Sequence, residues 1–487
     1  MKKSMFFLLC LLPWMISVQN YVSKIIPTEF ANVNAFNIYR IGDKYILGGT
    51  YNNNRSTIIT MDDALDNFEY YHFDSITFSY RPCNLLNGDL FVFAKNMFLE
   101  KGLRLLRLNS DYAVKEQYPI PSDGTFDFPL SSMTLDGDRN IYGTYGYNND
   151  GTDRFAIFKI STDGSVRWNK PFDENIDKFA LCRLHPSGTT HLLACYLVKY
   201  QGETGREKAR AIKLDTAGNE IWKSDPFADA NIYRGISLAE LSDSTVFLTY
   251  QKDMHKDPDY ALNWNPYPPT YIWLDREGKK IRENILKVNK DYDVYISEVK
   301  AGRGDYFYIF GQLTLSMKPK TDYYGFITKY ANNGDTIWTH IYRHQDYNRS
   351  DVSHYIRDII EEDNGDIVAL GAVAIESGKK GVWVFRVNDQ GCFGTDSCDE
   401  LTLSEKALPV SGRTAIRLYP NPTTGIVYID GVAEGDSRIV RIYDMEGRLL
   451  TQQQTQSQAD LSLLPPGIYL IRVFSRYEAH TAKILKL

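Results

Sequence analysis

Two short phrases alternate along most of the chain, and their spacing constrains its fold more than any other feature. The first is a turn followed by an apolar strand. It reads Gly42-Asp-Lys-Tyr-Ile-Leu-Gly, Gly88-Asp-Leu-Phe-Val-Phe, Asp138-Arg-Asn-Ile-Tyr-Gly, Gly188-Thr-Thr-His-Leu-Leu-Ala and Asp243-Ser-Thr-Val-Phe-Leu, then Gly304-Asp-Tyr-Phe-Tyr-Ile-Phe-Gly and Gly365-Asp-Ile-Val-Ala-Leu-Gly. These seven copies recur roughly every 46 to 61 residues. The second phrase is a strand, a Gly-containing turn and a Trp. Its clearest copies are Phe158 to Gly164 with Trp168, Ile212 to Gly218 with Trp222, and Ile327 to Gly334 with Trp338. Each Gly falls where a tight hairpin needs positive φ.

Together the phrases define units of four short strands. Strand A precedes the first turn, B follows it, C precedes the second turn and D carries the Trp. A repeat of about 40 to 50 residues with four strands per unit is the pattern of a β-propeller. The expected fold is therefore all-β, a seven-bladed β-propeller over residues 20–398 with its units between about 30 and 395. An elongated array of β-sandwiches is the competing arrangement. The aromatic content, 34 Tyr and 24 Phe, suits strands. We read the repeated Trp residues as blade-packing devices.

The seventh unit is incomplete. After Gly391 the chain reads Cys-Phe-Gly-Thr-Asp-Ser-Cys with no Trp strand. A ring must close, because an open sheet edge is a template for aggregation. Tyr21 to Ile26 alternates suitably and is expected to supply the missing outer strand.

The first nineteen residues read as a signal peptide, with Lys2 and Lys3 before an apolar run from Met5 to Val18. That run is too short to span a bilayer comfortably, and no later segment approaches twenty apolar residues, so the mature chain carries no transmembrane segment. A net charge of -6 gives no general attraction to nucleic acid. In an exported chain Cys392 and Cys398 are close enough to form a disulfide across a Gly-containing loop. Cys182 and Cys195 lie on adjacent expected strands and either pair or stay as buried thiols. No Cys has partners at metal-ligand spacing, so neither a metal nor a cofactor is implied.

From about Leu403 the repeat stops. A linker over 399–414 leads to Leu418-Tyr-Pro-Asn-Pro-Thr-Thr-Gly425. Three strand-forming segments follow: Val440-Arg-Ile-Tyr-Asp-Met-Glu-Gly-Arg-Leu-Leu450, Leu461-Ser-Leu-Leu-Pro-Pro-Gly-Ile-Tyr-Leu-Ile-Arg-Val473 and Ala482 to Leu487. Strands separated by Gly and Pro turns read as a small Ig-like β-sandwich. These motifs, in this order over 415–487, resemble the type A C-terminal sorting domain of type IX secretion cargo. The resemblance implies passage through the periplasm to the outer-membrane surface or the medium, with the secretion machinery as partner.

A working site would have to lie in the propeller. Its A–B and C–D turns are short, so the longer B–C and D–A connections on the opposite face are where binding residues concentrate. The longest, 252–269, carries Tyr260, Trp264 and Tyr267 beside Asp257 and Asp259. Stacking rings with carboxylate hydrogen bonds suit a sugar, although the aromatics would equally pin the loop to its blade. A second cluster places His344, Asp346 and His354 in the connection before the seventh unit. It suits acid–base work or a metal, or else a solvated polar loop. No nucleophile elbow, phosphate loop or zinc-protease helix is present. The leading expectation is a surface propeller that binds a glycan or protein. The alternatives are a carbohydrate-active hydrolase or lyase using the same face, and a purely structural surface component.

Overall fold

The computed structural model describes residues 23–26, 34–393 and 417–487. Within those ranges it leaves out 52–54, 74–75, 79–82, 87–88, 97–102, 121–124, 137, 139, 150–151, 162, 173–175, 189, 201, 203–206, 231–234, 256–266, 287–291, 318–319, 345–351, 377–378, 431–437, 445–448, 456 and 475–478. The chain divides into two compact units, Met1–Ser404 and Glu405–Leu487. Among the described residues there is no helix.

In the first unit the described residues form seven antiparallel sheets that follow one another along the chain. The first contains Asn34–Ile41, Lys44–Tyr51, Arg55–Asp62 and Glu69–Phe73, and the third, fifth and sixth repeat this four-strand order. The second and fourth each add one short strand, Cys83–Leu86 and Phe227–Ala230. The seventh has three consecutive strands, His354–Glu361, Ile367–Glu376 and Lys379–Val387.

The fourth strand of the seventh sheet comes from the other end of the chain. Ser23–Ile26 pairs antiparallel with Lys379–Val387, Ser23 opposite Phe385 and Ile26 opposite Val382. This bears out the expected closure for residues 23–26; Tyr21 and Val22 lie outside the described residues.

Seven apolar cores cement neighbouring sheets. One joins Phe93 and Leu105 of the second sheet to Ile141 and Phe158 of the third. Another joins Phe310 and Ile327 of the sixth to Ile356 and Trp383 of the seventh. The cycle is completed by a core in which Val368, Leu370 and Val384 of the seventh sheet pack on Tyr45, Leu47 and Ile59 of the first. Burying each such large side chain contributes roughly 1.5–3 kcal/mol. A closed cycle of antiparallel sheets is the β-propeller that the repeat implied.

The repeated Trp residues latch one sheet to the next. Trp168 Nε1 donates to Thr216 O and Trp338 Nε1 to Asp389 O, and Trp273, on the third strand of the fifth sheet rather than in the repeated phrase, donates to Asn332 O, each at 3.1 Å; Trp222 Nε1 makes no such bond. Each acceptor stands two residues before the turn glycine of the following sheet. The ring then lies flat on that glycine: a Cβ at Gly218 would sit 2.8 Å from Trp168, and one at Gly278 2.4 Å from Trp222. The phrase therefore needs Gly twice over, for positive φ and for room under the indole.

The second unit forms two sheets, Arg417–Tyr419 with Ile426–Asp430 and Gln458–Asp460, and Leu449–Thr455, Arg438–Tyr443, Gly467–Phe474 and Ala479–Lys486. They share one core that includes Val427, Val440, Leu461, Ile471 and Ile484. Asn421 of the Tyr-Pro-Asn-Pro segment clamps the last strand. Its Nδ2 donates to Lys483 O at 2.8 Å, and its Oδ1 accepts from Leu485 N at 2.9 Å.

Candidate ligand-binding cleft

From the third sheet round to the first, the first strands of successive sheets pack on one another, and side chain to backbone hydrogen bonds link them. Ser132 Oγ accepts from Leu184 N at 2.9 Å, Ser237 Oγ from Val299 N at 3.0 Å, and Asp358 Oδ2 from Ile38 N at 3.1 Å. Ser297 Oγ donates to Ile356 O.

A β-bulge recurs on these strands. Pairing slips by one residue between Ala35 and Asn37, Ala180 and Cys182, Ile296 and Glu298, and Ile356 and Asp358. The extra residues are Phe36, Leu181, Ser297 and Arg357. A bulged residue escapes the alternation of its strand and can be aimed elsewhere. In the last two sheets the strand opposite the bulge carries a glycine because no side chain fits. A Cβ at Gly311 would meet Tyr295 O at 2.0 Å, and one at Gly371 would meet Tyr355 O at 2.6 Å.

The bulge in the seventh sheet helps to build a cleft. A cavity of about 200 Å³ is lined by Gln312 of the sixth sheet and by Ser353, Tyr355, Arg357, Ala372 and Ala374 of the seventh. Gln312 Nε2 donates to Ser353 Oγ at 2.6 Å and to His354 O at 3.0 Å, which fixes its amide. Tyr295, opposite Gln312 in the ladder, sets its ring 5.5 Å from that of Tyr355 at 50°. The Arg357 guanidinium lies 4.6 Å from the Tyr355 ring centre and 5.8 Å from that of Phe36. Burial, reinforced by Tyr295, holds the Tyr355 phenol well above its ordinary pKa, so it stays neutral and able to donate.

This cleft sits on the expected face, since Ser353 directly follows the D–A connection and Ala374 lies at the end of strand B. The residues singled out from sequence fall around it unevenly. Asp257, Asp259, Tyr260, Trp264, Asp346 and Cys398 lie outside the described residues. Tyr267 is half-buried; its carbonyl accepts from Gln251 Nε2 at 3.1 Å and its ring lies 4.9 Å from His255. His344 is buried. His354 is not a loop residue: it opens the strand His354–Glu361 and is 0% exposed, edge-on to Trp383 with ring centres 5.5 Å apart. Burial, with Arg343 nearby, drives its pKa down to about 4, which makes it a neutral core histidine. Cys392 is buried. Cys195 is buried opposite Arg183, whereas Cys182 is opposite Tyr196, so the ladder sets the two cysteines one position out of step.

A family model described as the secretion system C-terminal sorting domain matches residues 417–486. The chain is thus a β-propeller protein that carries a type IX sorting domain, exported to the cell surface or the extracellular space. No curated protein matches it. Among solved structures, the BP39L lectin from Burkholderia pseudomallei superposes with a TM-score of 0.50 at 9% identity, over 75% of this chain and 98% of that one. A polysaccharide lyase, an ulvan lyase of family PL25 bound to a GlcA–Rha3S oligosaccharide, gives 0.47 at 10% identity, over 81% and 100% of the two chains. A puromycin-hydrolysing peptidase of Mycobacterium tuberculosis gives 0.44 at 13% identity, over 86% and 63%. At such identities the lectin likeness speaks to fold alone, and the two weaker ones support no further argument.

Proposed function

We propose that the propeller is a glycan-binding module displayed or released by type IX secretion, with its binding site in the cleft between the sixth and seventh sheets. The proposed organisation is a signal peptide over 1–19, the propeller over 20–398, a linker over 399–414 and the sorting domain over 415–487. The supporting observation is the pairing of Tyr295 and Tyr355 above the fixed polar groups of Gln312 and Ser353. A pyranose presents one face of C–H groups and a rim of hydroxyls, and a ring beside positioned amide and hydroxyl groups matches both. At about 200 Å³ the cleft is smaller than the roughly 300–1,000 Å³ of drug-sized sites, which suits one sugar unit of a longer chain. The lectin likeness is in keeping with this reading.

The test is a glycan-array screen of the mature chain with analysis of the glycans for cleavage products. Binding without cleavage, lost in Tyr355→Ala while the melting temperature holds, is the expected result. Cleaved glycans would move the assignment to a carbohydrate-active enzyme. No binding to any glycan would overturn the proposal.

A further inference from the structure

The geometry points to an acidic sugar as the ligand, with Arg357 reading its carboxylate or sulfate; this rests on the glycan reading above. Three other half-buried or buried arginines near sheet junctions have carboxylate partners. Arg386 pairs with Glu362 at 3.2 Å, Arg343 with Asp322 at 2.9 Å, and Arg107 with Glu116 at 3.0 Å. Arg357 has none among the described residues, and its buried Nε has no hydrogen-bond partner. A buried donor left without a partner is destabilising, so the position is one that a ligand improves.

Its surroundings explain why the charge stays available. The nearest acidic neighbour in sequence, Asp358, points the other way across the bulge. There it accepts from Ile38 N and Ile359 N and pairs with Lys300. Arg357 is held instead by the faces of Tyr355 and Phe36. Stacking engages the face of a guanidinium and leaves its in-plane N–H groups for a planar acceptor. A carboxylate or sulfate ester meets that fork with two parallel hydrogen bonds. Gln312, Ser353 and the neutral Tyr355 hydroxyl would then serve the sugar's hydroxyl groups. The chain's net charge of -6 offers no general attraction for such a ligand, so selectivity must come from local groups such as Arg357.

The experiment measures affinity by calorimetry for oligogalacturonate and alginate tetrasaccharides, each against its carboxyl-reduced product. Wild type, Arg357→Lys, Arg357→Gln and Tyr355→Ala are compared as full mature chains with melting temperatures recorded. The wild type is expected to prefer at least one acidic oligosaccharide over its reduced form by tenfold or more. Arg357→Gln should abolish that preference, and Arg357→Lys, with charge but no planar fork, should keep only part of it. Equal affinity for acidic and reduced sugars, lost in Tyr355→Ala, would overturn the acidic ligand and leave the glycan site standing. Binding unaffected by both Tyr355→Ala and the Arg357 variants would place the site elsewhere and overturn both readings.

Discussion

Trp383 Nε1 donates a 3.0 Å hydrogen bond to Ser23 Oγ, a contact between residues 360 positions apart. It marks the seam at which the two ends of the propeller share one sheet. Ile26, 1% exposed, inserts beside Val382 and Val384 in the core between the last sheet and the first. Ring closure therefore depends on four residues that lie just beyond the expected signal peptide.

Ile26→Ala should cost about 2–4 kcal/mol through the cavity it leaves. Ser23→Ala should cost only about 1 kcal/mol, one hydrogen bond. Chemical denaturation of the full chain checks both. A loss for Ile26→Ala no larger than the roughly 0.5 kcal/mol of a surface change would mean that the N-terminal strand is a passive appendage.

The same seam carries a buried ion network. Arg386 and Glu362, each with a side chain 4% exposed, pair at 3.2 Å, and Arg386 also donates to Tyr45 Oη at 3.0 Å. Glu362→Gln strands a buried guanidinium and should cost about 3–5 kcal/mol. Adding Arg386→Met to that variant should restore part of the loss, because the pair's desolvation penalty then disappears. If the double variant is no more stable than the single, the charge pair is not what the substitution disturbed.

The turn glycines separate two effects. Gly218 has φ of 76° and lies under Trp168, whereas Gly42 has φ of 59° and open space, with no atom within 4 Å of where a Cβ would stand. Alanine at Gly42 should cost only the left-handed penalty of about 1–2 kcal/mol. Alanine at Gly218 should cost at least about 1 kcal/mol more, because the indole must move within a close-packed interior. Equal midpoints in urea for the two variants would remove the Trp–Gly latch from the account.

His354 gives a pH signature. Burial lowers its folded pKa to about 4 from the ordinary 6.5. Between those values the unfolded chain binds the proton and the folded chain does not, so stability falls as pH drops from 6.5 and levels off near 4. The full effect is about 3 kcal/mol. His354→Gln should flatten this part of the stability profile, measured by urea denaturation from pH 7 to 4. An unchanged slope would mean that His354 is protonated, or solvated, in the folded protein.

How much of this was legible in the sequence follows from what repeats. The turn glycines and Trp residues recur because several junctions pack an aromatic ring on the next sheet's turn glycine, so the propeller, its units and the borrowed strand at Ser23–Ile26 could be read directly. The sorting domain was legible because Asn421 and the last strand hold each other in place, which fixes motifs and their order. The cleft was not. Arg357 and Tyr355 sit on a strand whose sequence does not repeat, and Gln312, one residue past a repeated phrase, is brought to Ser353 across 41 positions by packing alone. One trace was available: the apolar phrases ending in Gly311 and Gly371 end there because a bulge lies opposite. Histidine counting misled for a physical reason, since His354 is buried against Trp383 as a neutral ring rather than held in a polar loop.

The central claim is that a glycan occupies the cleft beside Tyr355, and hydroxyl-radical footprinting of the full chain with and without a bound glycan tests it most directly. Tyr295 and Tyr355 should be protected by the glycan, while Tyr419 and Tyr428 of the second unit, 50% and 48% exposed, should be oxidised equally in both samples. Protection that maps to another sheet, with Tyr295 and Tyr355 unchanged, would contradict it.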